Sequence, residues 1–172
     1  MNKNDPNKDQ LSIRFNRKFR RTLKSLCIRG EKFVICHGIR NGACDCEKVE
    51  CGSPGKHPNA ILMPNGEKDS TSDFDELMGM LKQYPNSNIG MCVVRWVVLD
   101  IDGRLGYASL EVLEPLPETT TVKTGRGEHR YFAGRLGFKP RKIKGIDIKT
   151  ITGYVMIPPS VHASGKVYKW KR

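Results

Sequence analysis

The spacing of apolar residues near the N-terminus predicts an amphipathic helix that begins at about Leu11. Apolar side chains recur there every three or four residues, with Arg and Lys between them, as on one face of a helix. The members of this stripe are Phe15, Phe19, Leu23 and Leu26. Gly30 is expected to end the helix, and residues 1–10 are polar throughout.

A second helix is predicted over Ser72–Tyr84. Ser72 can cap it, Asp75 follows three residues later, and Pro85 stops it. The apolar stripe of this helix consists of Phe74, Leu77, Met78 and Leu81. A shorter helical piece is expected near Ser109–Leu113.

The other apolar segments read as strands. The longest, Asn88–Asp102, contains the apolar core Val93–Leu99 and is predicted to be one central buried strand that ends in acids. Gly125-Arg126-Gly127 between two β-rich runs is a hairpin signal, and a turn is expected at Ala163-Ser164-Gly165. The remaining predicted strands are Lys32–Cys36, Thr119–Thr124, Glu128–Ala133, Gly145–Thr150 and Tyr154–Ile157. Together these elements predict an α+β fold with a mixed, mostly antiparallel central sheet flanked by helices.

The segment 36–58 is rich in Gly, Cys and Pro, and we predict that it lacks regular structure. A loop of this length needs something else to hold it, and a metal ion would do so. Cys44, Cys46, Cys51 and His57 offer three thiolates and an imidazole within fourteen residues, which is a donor set for tetrahedral Zn²⁺. Cys36 and His37 remain alternative fourth ligands. Cys27 and Cys92 are expected to be core thiols.

The charge of the chain points to a polyanionic partner. The 172 residues carry 30 Lys+Arg against 18 Asp+Glu, a net charge of +12. Basic side chains concentrate in residues 1–26 and 123–149, with a more acidic centre between them. This distribution favours nucleic-acid binding. No apolar run could span a bilayer, and the N-terminus lacks an apolar leader, so we expect a cytoplasmic protein.

The acids at the end of the long apolar run are the strongest candidates for chemistry. Asp100 and Asp102 are two residues apart, so on a strand their carboxylates lie on one face. Asp147 alternates with two isoleucines in another predicted strand, and three such carboxylates on neighbouring strands would suit two Mg²⁺ or Mn²⁺ ions.

The predicted hairpin adds candidate phosphate ligands. Its glycines would let backbone N–H groups approach phosphate oxygens, and Arg126, His129 and Arg130 would donate hydrogen bonds.

Taken in order, these strings resemble the primase-polymerase (prim-pol) domains of the archaeo-eukaryotic primase superfamily, of the type found at the N-terminus of phage, plasmid and mobile-element replication proteins. The resemblance covers roughly residues 20–170. The matching strings are GKHP at 55–58, NIGMCV at 88–93, VVLDIDG at 97–103, TGRGEHRYF at 124–132, GIDIKTITGYVMIPPSVHASG at 145–165 and YKW at 168–170.

The resemblance implies a role for each matching residue. Asp100, Asp102 and Asp147 match the family's metal-binding acids, and His129 matches the histidine that contacts the triphosphate of the incoming nucleotide. The other residues implied to line the nucleotide pocket are Lys56, Ser160 and His162. A small residue usually precedes the motif histidine; Glu128 stands there instead, and we expect it to point away from the triphosphate.

The implied activity is template-directed nucleotidyl transfer by a DNA primase-polymerase in replication. Its cofactors would be two Mg²⁺ or Mn²⁺ ions plus a structural zinc ion, with Arg126 and Lys149 helping to neutralise phosphates. The partners would be single-stranded DNA template, primer, nucleoside triphosphates and a helicase domain or protein. The basic blocks at 14–24 and 135–144 would follow the nucleic-acid backbone. The implied organisation is a basic N-terminal extension over 1–26 and an RRM-like catalytic domain over 27–172, into which the zinc-binding loop 36–58 is inserted.

Two alternatives belong to other functional classes. A catalytically inactive, zinc-bearing nucleic-acid-binding module would bind DNA without making a product. A DxD nucleotide-sugar transferase would use Asp100 and Asp102 but would leave Asp147, the zinc loop and the basic blocks unexplained.

Overall fold

A computed structural model of the chain describes residues 14–113, 115–134 and 143–171. Within them lie three α-helices: α1 (Arg17–Ile28), α2 (Phe74–Gln83) and α3 (Gly103–Glu111). A 3₁₀ turn covers Gly66–Asp69. None of the helices in these ranges is long and apolar enough to cross a membrane.

The strands of the described residues form antiparallel pairs throughout. In chain order they are β1 (Phe33–Cys36), β2 (Ile39–Arg40), β3 (Ala43–Cys44), β4 (Asn88–Cys92), β5 (Trp96–Ile101), β6 (Thr120–Lys123), β7 (Glu128–Ala133), β8 (Ile146–Lys149), β9 (Tyr154–Met156) and β10 (Lys169–Trp170). They make a three-stranded sheet β1-β4-β9, a five-stranded sheet β10-β6-β7-β5-β8 and a ribbon β2-β3. The α+β class is confirmed, but the strands divide between two main sheets and do not form one.

The predicted single strand over Asn88–Asp102 is wrong. Its two halves are β4 and β5, which lie in different sheets, and the amide of Trp96 donates to Val93 O (3.0 Å) to close a turn between them. Arg95, the polar residue inside the apolar run, anchors this turn by donating to the carbonyl of Arg29 (2.6 Å). Because β4 is buried along its whole length and β5 follows without Gly or Pro, the hydrophobic pattern hides the break.

The core lies mainly between the helices α1 and α2 and the two sheets. All four residues of β1 are buried, and they belong to one cluster with Leu23 of α1 and Leu77 of α2. Val98 and Tyr131, on one face of the five-stranded sheet, join the same cluster. The opposite face forms a smaller cluster in which Leu99, Ile101 and Ile146 pack with Leu110 and Leu113 at the end of α3.

The helix boundaries differ from the predicted ones by a few residues. α1 starts later than expected: Asn16 caps it by accepting from the amide of Phe19 (3.1 Å), and residues 11–13 lie outside the described ranges. α2 is capped by Asp73 and not by Ser72. The helix expected near Ser109–Leu113 begins at Gly103. The cap of α2 differs from the predicted one because the adjacent Ser72 and Asp73 can each accept from free amides.

The segment 36–58 contains more regular structure than predicted. Ile39 pairs with Cys44, and Arg40 with Ala43, around a turn in which Asn41 and Gly42 both have positive φ (51° and 80°). An Asn-Gly pair between two strands is a strong hairpin signal, and it lies within the expected loop. The hairpin directs Cys44 back toward the rest of the segment.

Candidate active site

One row of residues across the five-stranded sheet brings together candidates from three strands. Asp100 of β5 lies directly opposite His129 of β7 on one side and Asp147 of β8 on the other. Residues directly opposite on antiparallel strands point to the same face, so these three side chains share one face. The predicted alternation of Asp147 with Ile146 and Ile148 is thereby confirmed.

Asp100 is the least exposed acid of this group and contacts His129. His129 Nε2 lies 3.3 Å from Asp100 Oδ1, and the side chains are 5% and 26% exposed. Burial raises the pKa of Asp100, but the hydrogen bond and charge of His129, with the charges of Lys56 and Lys149, outweigh it and lower the pKa overall. Asp100 is therefore an ionised carboxylate at neutral pH.

The other two acids are more exposed, and each pairs with a basic side chain. Asp102 follows β5 in extended conformation and occupies the N-cap position of α3, without a side-chain capping hydrogen bond; its Oδ2 lies 3.6 Å from a guanidinium nitrogen of Arg126. Asp147 pairs with Lys149, two residues along the same strand. Each carboxylate thus already has a cationic neighbour.

The three acids come near each other but do not form a tight cluster. In the described part of the chain, the one group of three or more His, Cys, Asp or Glu ligand atoms within 4.8 Å of one another is the Cys/His set of the segment 36–58. Asp100 and Asp147 share a face and a row, and Asp102 follows two residues after Asp100. Ion pairs hold Asp102 toward Arg126 and Asp147 toward Lys149, while Asp100 contacts His129.

The Gly125-Arg126-Gly127 turn joins β6 to β7 as predicted, but its glycines serve close packing. A Cβ on Gly125 would lie 2.2 Å from the ring of His162, and one on Gly127 would lie 1.7 Å from Ile101 O. The amide of Gly127 donates to Thr124 Oγ1 (3.0 Å). The turn therefore packs closely between the end of β5 and the segment that carries His162.

Lys56 and His162 approach this group from two turns outside the five-stranded sheet. Burial lowers the pKa of His162, and the positive charges of Lys56 and Arg126 lower it further, against the opposing charge of Asp102. Lys56 also acts on Asp100. Arg126 pairs with Asp102, and its neighbour Gly125 packs against the ring of His162, so both side chains lie on the Asp102 side of the group.

Tyr168 also belongs to the site. The sequence analysis included it in the matching string YKW at 168–170 but assigned it no role of its own. It is 2% exposed, and its ring centroid lies 5.9 Å from that of His129 and 6.3 Å from that of His162. The charges of Asp100 and Asp102 act on its hydroxyl, and burial together with these charges raises its pKa. The buried ring of Tyr168 thus contacts both histidine rings.

Ser160 and Arg130 both have hydrogen-bond partners within the protein. The Ser160 hydroxyl is fully buried and exchanges hydrogen bonds with the backbone of Ile89 (both 3.0 Å), which leaves it holding the turn before His162. Arg130 donates to Glu128 (2.7 Å) on the face opposite His129. Glu128 points away from His129 as expected.

The Cys/His cluster is well defined. Ligand atoms of Cys44, Cys46, Cys51 and His57 all lie within 4.8 Å of one another, with Cys44 Sγ 3.4 Å from His57 Nε2. A hydrogen bond with the backbone of Lys48 lowers the pKa of Cys46 to about 7, whereas burial raises that of Cys44 to about 11. Three soft sulfur donors and an imidazole in such a group could bind zinc.

The alternative fourth ligands have other partners. Cys36 is fully buried in β1, with its Sγ directed to the carbonyl of Lys56 (3.9 Å). His37 pairs with Asp45 (2.8 Å), and its ring contacts that of His57 at a tilt of 37°, with centroids 4.7 Å apart. His57 is therefore the histidine of the cluster. Cys27 and Cys92 are buried core thiols, as predicted.

Comparison with protein families identifies the chain. The model of the bifunctional DNA primase/polymerase N-terminal domain (Prim-Pol) matches residues 36–172, about four-fifths of the sequence. The chain belongs to the Prim-Pol family. The Prim-Pol match includes the Cys/His cluster, the three acids and both histidines of the site, while α1 precedes it. Comparison with curated proteins and with solved structures gave no match.

Proposed function

We propose that this Prim-Pol protein is a DNA primase-polymerase that adds nucleotides to a DNA primer or starts strands on a single-stranded template during replication. The observation that carries the proposal is the row in which Asp100 lies between His129 and Asp147, beside Asp102. An RRM-like catalytic sheet is part of this proposal. The nucleotide-sugar transferase alternative loses its support because it leaves the family match unexplained.

Asp100, Asp102 and Asp147 fit a pair of Mg²⁺ or Mn²⁺ ions, since these ions prefer carboxylate oxygens. Such a pair would activate the 3′-hydroxyl and stabilise charge on the α-phosphate as pyrophosphate leaves. The ionised state of Asp100 at neutral pH supports this assignment.

The basic side chains would bind the triphosphate. Arg126 and Lys149 now pair with Asp102 and Asp147. If those carboxylates ligate metal ions, the side chains of Arg126 and Lys149 would become free to bind the β- and γ-phosphates, close to the reacting atoms. His129, held against Asp100, and Lys56 and His162, from the neighbouring turns, would complete the phosphate ligands.

The proposed zinc ion would hold the turn that carries Lys56. Its ligand His57 directly follows Lys56, and the amide of Gly55 donates to the Sγ of another ligand, Cys44 (3.4 Å). A structural zinc ion contributes folding free energy to the segment that binds it. We infer that the Cys/His cluster stabilises the turn that carries Lys56 and, through this turn, the nucleotide pocket.

The proposal is tested by incubating the protein with single-stranded template, labelled nucleotides and Mg²⁺ or Mn²⁺, with and without a primer. We expect extended products that require the divalent ion and disappear when a chelator is added in excess. DNA binding with no product under any of these conditions would contradict the polymerase proposal.

That result would favour the inactive DNA-binding alternative, which one observation supports. Asp102 and Asp147 pair with basic side chains, and the three acids do not form a tight cluster in this structure. An inactive relative could retain such pairs as permanent ion pairs.

Binding of single-stranded DNA is expected to depend steeply on salt. Exposed basic side chains of α1, among them Lys18 and Arg21, belong to the proposed 14–24 block; residues 135–142 of the second block lie outside the described ranges. Five phosphate contacts at a slope of about −0.7 each would reduce the affinity about 100-fold between roughly 50 and 200 mM salt. Titrations by fluorescence anisotropy measure this slope.

Neutral variants provide the control for that slope. Lys18→Gln and Arg21→Gln should each reduce its magnitude by about 0.7 if the side chain contacts a phosphate. An affinity that stays constant across this salt range would contradict the basic-groove proposal.

A further inference from the structure

The carboxamide of Asn88 is a buried hydrogen-bonding centre that the proposed chemistry does not use. Asn88 begins β4 and is fully buried. Its Nδ2 donates to Gly55 O (2.8 Å) and to Val161 O (2.7 Å), and its Oδ1 accepts from the amide of Val161 (2.8 Å). One side chain thus joins two segments that are far from it and from each other in sequence.

Both segments carry residues of the proposed nucleotide pocket. Gly55 precedes Lys56, and Val161 precedes His162. Asn88 holds the backbone immediately before each of these side chains. The positive φ of Gly55 (68°) and its lack of a side chain permit the contact, because a Cβ there would lie 2.9 Å from Asn88 Nδ2.

Arg14 completes the arrangement. One guanidinium nitrogen donates to Asn88 Oδ1 (2.6 Å), and another donates to Asn86 O (2.7 Å). The guanidinium also donates to Pro159 O (3.3 Å), in the turn that leads to His162. With Arg14 and Val161 both donating to Oδ1, the orientation of the carboxamide is fixed, so Nδ2 must face the two carbonyls.

We propose that Asn88 is a positioning residue of the nucleotide pocket, which fixes Lys56 and His162 relative to each other by holding the backbone before each. This inference rests on the proposed function for the identity of the ligand, a nucleoside triphosphate. The acids and His129 lie on the five-stranded sheet, whereas Asn88 lies on the three-stranded sheet. Loss of the Asn88 contacts should therefore weaken nucleotide binding and spare the chemical step.

Other contacts would preserve the fold without Asn88. The Tyr154 hydroxyl donates to Lys56 O (2.8 Å), and Ser160 exchanges two hydrogen bonds with Ile89. The two turns would remain attached to the core but would lose the hydrogen bonds that connect them through Asn88.

The test compares wild type with Asn88→Asp and Asn88→Ser. An aspartate has nearly the same shape and can still accept from Arg14, but its carboxylate cannot donate to Gly55 O and Val161 O. The smaller serine keeps the protein testable if the aspartate variant does not fold. Asn59→Ala is the matched control, since it removes another buried asparagine, whose Oδ1 accepts from the amide of Ile61 (3.0 Å).

Two readouts are needed. Calorimetric titration with Mg²⁺–nucleoside triphosphate should give a dissociation constant raised about tenfold in the Asn88 variants, with kcat at saturating nucleotide within about threefold of wild type. NMR spectra of the four histidine rings in the nucleotide-free protein should show a shift for His162 and none for His129. Asn59→Ala should change neither the nucleotide affinity nor the His162 signals.

The outcomes distinguish this inference from the proposed function. Unchanged His162 signals and nucleotide affinity in a folded Asn88 variant would overturn the positioning role. So would a general shift of all four histidines together with equal losses in affinity and kcat, because that pattern reports a loosened fold. A wild-type protein that binds no nucleoside triphosphate would contradict the proposed function instead, and the His162 signals would still decide whether Asn88 positions the turn.

Discussion

Replacing Asp100 by asparagine is expected to reduce nucleotide incorporation at least about 1000-fold, which corresponds to about 4 kcal/mol of lost transition-state stabilisation. Asparagine keeps the shape of the side chain and one acceptor oxygen but removes the negative charge that would hold a divalent ion. The measurement is the single-nucleotide incorporation rate at saturating Mg²⁺ or Mn²⁺, alongside thermal unfolding and DNA affinity.

The fold should tolerate this change. Asp100 is only 26% exposed, so the carboxylate pays a desolvation cost that asparagine avoids, and this offsets part of the lost contact with His129. DNA affinity should be unaffected because the proposed phosphate contacts lie in the basic blocks. A fall in activity without a change in unfolding or DNA binding would therefore report on chemistry alone.

Asp147→Asn tests the same site from the neighbouring strand. Asp147 is 64% exposed and pairs with Lys149, so its replacement should cost little stability and yet abolish incorporation. Asp75→Asn, which changes an exposed acid at the start of α2, is the matched control and should retain full activity. Primer extension at the wild-type rate by either the Asp100 or the Asp147 variant would show that the metal-site assignment is wrong.

The residues of this row could be proposed from sequence, but their alignment could not. The hairpin over Thr119–Ala133 is local, and its turn and strands follow from nearby residues. By contrast, β5 lies between β7 and β8, and those pairings join residues that are 27 to 51 positions apart in sequence. No pattern within a single strand fixes which strand it pairs with or in what register, so the meeting of Asp100, His129 and Asp147 needed the structure.

Asn88 shows a second reason why sequence reasoning fell short. In NIGMCV an asparagine before an apolar run reads as the polar start of a strand. Its partners Gly55 and Val161 are 33 and 73 residues away, so nothing near Asn88 marks it as a junction. The Cys/His cluster could be predicted because its ligands lie close together in sequence, and the structure then selected His57 over Cys36 and His37.

About one equivalent of zinc is expected to co-purify with the protein and to be lost on combined Cys46→Ser and Cys51→Ser substitution. Two of the four ligands disappear in this variant, and serine hydroxyls are poor substitutes for thiolates. Elemental analysis of the purified protein measures the stoichiometry. An unaltered protein that contains no zinc would contradict the assignment.

Paired histidine variants test which ring binds the ion. His57→Gln should release zinc, whereas His37→Gln should retain it, because His37 pairs with Asp45 and touches His57 only through a tilted ring contact. Cys27→Ser, a change to a buried thiol outside the cluster, should also retain zinc. Zinc retained in full by His57→Gln would show that the fourth ligand has been assigned wrongly.

Loss of zinc should also lower the stability of the protein and its affinity for nucleotide. Each kcal/mol of support that the segment loses would lower the melting temperature by roughly 2–4 °C in a chain of this size. Lys56 lies directly between His57 and Gly55, whose amide donates to Cys44 Sγ, so the turn that carries Lys56 would lose part of its support. The dissociation constant for nucleoside triphosphate should therefore rise in His57→Gln and stay unchanged in His37→Gln. The rings of these two histidines are in contact, so the comparison separates the effect of the metal on nucleotide binding from the loss of stability caused by any substitution in the loop.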